Sequence, residues 1–142
     1  MVGIVIVAHF DLAEKFLEIA EKILKRKPKN IITVSVDLSK DPNELKPEIN
    51  KAIKKVDEKE GVLILTDMFG GTPCNISLAF LKEGAVEVLT GVNLPMVIEV
   101  LDLQTQGKTL SDLAYYIQNV GQKNICLASE ILNRKSSSRK ED

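Results

Sequence analysis

Four short, predominantly apolar runs, Ile4 to Val7, Ile31 to Val36, Val62 to Leu65 and Val86 to Leu89, are separated by stretches of helical periodicity. Runs of this length and composition read as strands buried on both faces. Strands that alternate with helices demand right-handed crossovers, and so an α/β fold: an open, mostly parallel, doubly wound sheet with helices on both faces.

The intervening segments carry their own start and stop signals. Leu12, Phe16, Ile19, Ala20, Ile23 and Leu24 share a helical face that opens with Asp11-x-x-Glu14, a box-like start, and stops before Pro28. Leu45, Ile49, Ala52, Ile53 and Val56 define a second helix, which Pro42 starts after Asp41; Pro47 either kinks it or marks a later start. Thr72 and Pro73 suit the cap and first position of a third helix running to about Lys82. A shorter helix begins at Asn93-Leu94-Pro95, another covers Thr109 to Val120, and Asn124 to Ala128 reads as a final short strand. Residues 1–130 then form one domain. Residues 131–142 have the composition of a polar, disordered tail.

A chain of 142 residues buries about 70% of its unfolded surface, so it needs no disulfide or metal staple. The 19 basic and 20 acidic residues nearly cancel, which argues against nucleic acid or an anionic membrane as the main partner. Cys74 and Cys126 lack ligand spacing, and a buried structural thiol is the favoured reading of Cys74. One histidine cannot build a His-rich metal site, so neither metal nor cofactor is expected. The start lacks a basic n-region and cleavage site, and no segment reaches the length of a bilayer span, so a cytoplasmic location is expected.

Ligands of open parallel sheets sit at the carboxyl ends of the strands, where strand order reverses. The commonest order for a short chain sets the first and third runs side by side there, which brings His9 and Asp67 together. Alone, His9 could simply be a satisfied strand-end histidine and Asp67 a turn residue. Paired, a carboxylate fixes one imidazole nitrogen and frees the other as a base or nucleophile. Gly70, Gly71 and Thr72 could aim N–H groups at a phosphate, or merely turn the chain into a capped helix; neither GxxxxGK[ST] nor GxGxxG is present. Phe10, Met68 and Phe69 flank this point, either as an exposed apolar docking rim or as ordinary core.

The strand ending in Ala8-His9, the string Thr66-Asp67-Met68-Phe69-Gly70-Gly71-Thr72-Pro73-Cys74-Asn75 and the string Gly91-Val92-Asn93-Leu94-Pro95-Met96 together resemble the IIA domain of the mannose/fructose/sorbose family of the bacterial sugar phosphotransferase system. The resemblance implies a phosphocarrier without cofactors, a phosphotransferase component with a phosphohistidine intermediate. His9 would accept a phosphoryl group on Nε2 from the histidine-containing phosphocarrier protein and pass it to a IIB domain, with indirect association to membrane IIC and IID components. Asp67 would hold the other nitrogen. It further implies a homodimer in which the C-terminal strand joins the partner's sheet in antiparallel fashion. One departure stands out: the family usually has Gly after the active histidine, where this chain has Phe10. Two rivals are a related phosphocarrier domain serving a dihydroxyacetone kinase and a non-catalytic regulatory module of the same fold.

Overall fold

In a computed structural model describing residues 1–141, β1 (Gly3–His9) lies at the centre of the sheet. Its segment Ile4 to Ala8 is wholly inaccessible to solvent. The other strands are β2 (Ile31–Val36), β3 (Val62–Thr66) and β4 (Val86–Leu89), all parallel, in the order β2-β1-β3-β4. The reversal of strand order falls between β1 and β3, as the apolar runs led one to expect. Ile4 pairs with Leu63 and Val7 with Thr66, the last residue of β3, and β1 runs two residues further, so His9 lies beside the start of the loop that follows β3.

Alternation along β1 divides two cores. Ile4, Ile6 and Ala8 face α1 (Leu12–Leu24), α4 (Leu94–Leu103) and α5 (Leu110–Lys123). Val5 and Val7 face α2 (Pro42–Val56) and Ile76 of α3 (Thr72–Leu78). Each fully buried aliphatic side chain in these layers stabilises the fold by about 1.5 to 3 kcal/mol relative to leaving it in water. Small residues at Ala13 and Ala20 let α1 pack onto the sheet. His9 continues the parity of Val5 and Val7, on the α3 side.

Several sequence expectations are corrected. Asp11 does precede α1, but its side chain makes no capping hydrogen bond. Thr72 is the first residue of α3, with Gly71 at the cap position, and α3 ends at Leu78, short of Lys82. The expected start of α2 at Pro42 beside the capping Asp41 holds, and Pro47 lies inside that helix, so it does not mark a later start. No strand forms at Asn124 to Ala128: Asn124 is in a turn and 125–127 are irregular. The physical reason is that a strand needs a neighbour, and nothing in one chain pairs with this segment. Where a disordered tail was expected, the backbone continues as α6 (Ala128–Glu141), a polar helix; residue 142 lies outside the described residues. Among the described residues, no helix is long and apolar enough to cross a membrane.

Candidate functional site

The adjoining carboxyl ends of β1 and β3 bring His9 and Asp67 into direct contact. Asp67 Oδ2 lies 2.7 Å from His9 Nδ1 and also accepts the His9 main-chain N–H at 3.0 Å, while Oδ1 accepts the Met68 N–H at 3.0 Å. An ionised carboxylate can only accept, so the proton of the ring lies on Nδ1 and the lone pair on Nε2. Both side chains are largely but not fully buried, His9 the more open of the two. Burial pushes the Asp67 carboxyl up, but the His9 N–H, the hydrogen bond and charge of the His9 ring, and the Met68 N–H outweigh it, so the group titrates below its ordinary 3.8.

The loop after β3 wraps the ring. Gly70 takes a left-handed conformation with φ +83°, which a glycine reaches without penalty. Gly71 has ordinary extended geometry, yet a Cβ there would stand 3.0 Å from both His9 Cε1 and Met68 Cγ. It is the ring, then, that excludes a side chain at Gly71. The main-chain N–H of Gly71 makes a long 3.4 Å bond to Met68 O, whereas the N–H groups of Gly70 and Thr72 make no backbone hydrogen bond among the described residues. Gly70, Gly71 and Thr72 thus border the imidazole, with two main-chain donors unengaged. Asn75 ties the loop down: its side chain donates to Gly70 O at 3.3 Å and its N–H to Gly71 O at 2.9 Å. The residue reading passed over this anchor, although Asn75 stands at the end of the quoted string.

The apolar residues around the site are exposed: Phe69 at 79%, Phe10 and Met68 each at 55%. None of them is core. Phe10 adopts φ +50°, because the chain must swing from β1 into α1 while the Phe10 N–H is held by Val36 O at 2.9 Å. A left-handed conformation costs a side-chain-bearing residue about 1 to 2 kcal/mol. Cys74 is buried, in keeping with a structural thiol. Among the described residues, no group of three or more potential metal ligands occurs.

Fold and site together define an open parallel α/β protein that presents one carboxylate-held imidazole at its topological switch point. The family model described as "PTS system fructose IIA component" matches residues 3–118. The chain belongs to this family, the mannose/fructose/sorbose IIA group of the sugar phosphotransferase system, and is thereby a phosphotransferase component with a phosphocarrier role in sugar uptake. It is 30% identical over 135 residues to the fructose-specific EIIA component of Bacillus subtilis, covering 94% of this chain and 91% of that one. It is 29% identical over 125 residues to the mannose-specific EIIAB component of Escherichia coli, of whose length it spans 38%. The crystal structure of an EIIA component from Streptococcus agalactiae superposes with a TM-score of 0.81 at 25% identity, covering 92% of this chain and 99% of that one. A 100-residue stretch is also 34% identical to the transcriptional regulatory protein LevR of Bacillus subtilis, amounting to 10% of that protein.

Proposed function

We propose that His9 Nε2 accepts a phosphoryl group from the histidine-containing phosphocarrier protein and passes it to a IIB domain, through a phosphohistidine intermediate. The observation that carries this reading is the 2.7 Å contact between His9 Nδ1 and Asp67, which leaves Nε2 as the free nucleophile. Phosphoryl transfer through a loose transition state asks for alignment and charge stabilisation more than for additional reacting groups. Asp67 supplies the alignment and stabilises the ring as it becomes cationic on N–P bond formation. The N–H groups of Gly70 and Thr72 are suited to the phosphoryl oxygens. Phe10, Met68 and Phe69 form the docking rim, a modest apolar contact from which a carrier can leave after transfer. The wider assembly on this reading is a homodimer working with membrane IIC and IID components, in the cytoplasm, without cofactor or metal.

The test is labelling with phosphoenolpyruvate, enzyme I and the carrier protein. Wild type should take up one acid-labile phosphate and His9→Ala none. Undiminished labelling of His9→Ala would sink the assignment.

A second reading, a regulatory module whose phosphorylation is read by a partner, is favoured by the likeness to LevR. It shares the His9 chemistry and differs downstream: a regulatory module would be labelled without passing phosphate to any IIB domain.

A further inference from the structure

The outer edge of β2 is open and unprotected. Ile4 N–H binds Asn30 O and Phe10 N–H binds Val36 O, so the even-numbered residues direct their main-chain groups toward β1. The N–H and C=O groups of Ile31, Thr33 and Ser35 therefore point away from the sheet. Natural edge strands are usually blunted by a charge, a proline or a bulge within the strand. Ile31 to Val36 contains no charged residue and no proline, and it pairs with β1 in unbroken register.

This edge forms the floor of a groove of about 420 Å³, with Glu14 of α1 on one side and Lys51 and Lys55 of α2 on the other. Lys40 and Glu48 complete its charged lining. Among the described residues, Lys40, Lys51 and Lys55 have no ion-pair partner, whereas Glu14 accepts a hydrogen bond from Ser35 Oγ at 3.3 Å. The balance on the α2 side is positive. Lys51 and Lys55 are one helical turn apart, about 6 Å along the helix axis. Alternate residues of a strand lie about 6.6 Å apart on one face.

From this match we infer that the β2 edge is a docking site for an extended acidic segment of a partner protein, added as a further strand. Its main chain bonds Ile31, Thr33 and Ser35, and carboxylates at every second position meet Lys51 and Lys55. Backbone pairing supplies affinity and the lysines supply selectivity, as in other cases of strand addition. The same lysines oppose pairing of two β2 edges, because in a symmetric contact the cationic walls of both copies would converge. The site is separate from the His9 reaction, since none of these side chains touches the imidazole.

The probe is a fluorescein-labelled eight-residue peptide alternating valine and glutamate, titrated into the full chain and followed by anisotropy. Saturable binding is expected, with none for the peptide in which lysine replaces glutamate. Lys51→Glu combined with Lys55→Glu, both on the exposed side of α2, should weaken binding by about tenfold or more. Thr33→Pro removes one outward donor without breaking a bond to β1 and should weaken it comparably. Should that variant fold poorly, amide exchange of the wild type serves instead: the Ile31, Thr33 and Ser35 amides should gain protection when the peptide is added. Absence of saturable binding, binding indifferent to the lysine reversal, or binding that leaves those three amides unprotected overturns the proposal. Capture of anionic vesicles in place of the peptide would overturn it in favour of a lipid surface.

Discussion

At the residue scale the site depends on one carboxylate doing two jobs. Asp67 fixes the ring through Nδ1 and stitches β1 to β3 through the main-chain N–H of His9. Asp67→Asn keeps the size but can leave the ring in the wrong tautomer, so phosphoryl transfer should slow by about tenfold or more while the fold survives. A wild-type rate would reduce Asp67 to a turn residue. The same carboxylate carries a pH signature. Its folded pKa is depressed below the ordinary 3.8, so its stabilisation is fully present above the unfolded value and is lost as pH falls through the folded one. In acid titrations below about pH 4, the stability difference between wild type and Asp67→Asn should therefore shrink; a constant difference would contradict the pKa. Gly71 and Gly70 separate two meanings of a glycine. Gly71→Ala has an allowed backbone but presses on His9 Cε1 and Met68, so transfer should fall several-fold with stability changed by less than about 1 kcal/mol. Gly70→Ala meets nothing within 4 Å but is strained at φ +83°, so it should cost about 1 kcal/mol and leave the chemistry nearly intact. Reversed phenotypes would reverse the roles. Sequence reasoning could pair His9 with Asp67, because strand order alone sets them together. The space beside the ring at Gly71, the anchor at Asn75 and the left-handed Phe10 depend on loop geometry, which residue types do not encode.

At the scale of elements, burial decided what could be read in advance. Ile4 to Ala8 of β1 and Val62 to Leu65 of β3 are inaccessible on both faces, so these residues had to be apolar and their runs stand out, whereas His9 and Thr66 come only at the carboxyl ends. Helix ends are set by local bonds that compete closely. α3 stops at Leu78, with the Ala79 and Phe80 N–H groups turning back onto Ile76 and Ser77, and no residue type between Leu78 and Lys82 announces the stop. Pro47 presents a different case. It lies in the sixth position of α2, exposed to solvent, where its ring removes the bond that a residue at this position would make to Asn43 O. An interior proline costs a helix about 3 kcal/mol, part of which is returned through a stiffer unfolded chain, so Pro47→Ala should raise stability by about 1 to 2 kcal/mol. Urea denaturation checks this through a higher midpoint at unchanged slope. A lower midpoint would mean that the proline sets a bend that α2 requires in order to pack Leu45 and Ile49 against the sheet.

At the scale of the whole molecule, the unmade strand is the informative feature. β4 bonds to the strand β3 on one side only; on its outer side Val86 exchanges main-chain bonds with Lys82 and the Val88 N–H is held by Glu87 Oε1, so past Val88 N–H no partner covers the edge among the described residues. Next to the end of β4, Ile125 lines a cleft with Leu89, Thr90 and Met96. Ile125 and Leu127 are 80% and 63% exposed, an apolar pair held in irregular backbone between two helices. An open edge beside an unpaired apolar segment in each of two copies can satisfy both when the segments are exchanged, because closed two-fold symmetry uses the same patch twice. Sedimentation of the full chain at micromolar concentration should then show a dimer. Replacing Ile125 and Leu127 together by lysine should yield a folded monomer, since both side chains already face solvent and α5, which ends at Lys123, is untouched. Ending the chain at Asn124 should do the same. A chain ended at Leu132 keeps the pairing segment and loses most of α6; it should remain dimeric if the segment alone makes the contact. A monomeric wild type would refute the exchange, whereas monomers only on loss of α6 would move the contact from the strand to the helix. Such an exchange would also bear on the site, because Asn93 donates to Gly121 O at the end of α5, while the adjacent Val92 N–H holds Thr66 O beside Asp67. A dimer-breaking variant should therefore be assayed for phosphate uptake on His9 as well as for mass. Equal uptake by monomer and dimer would show that each chain carries a complete site.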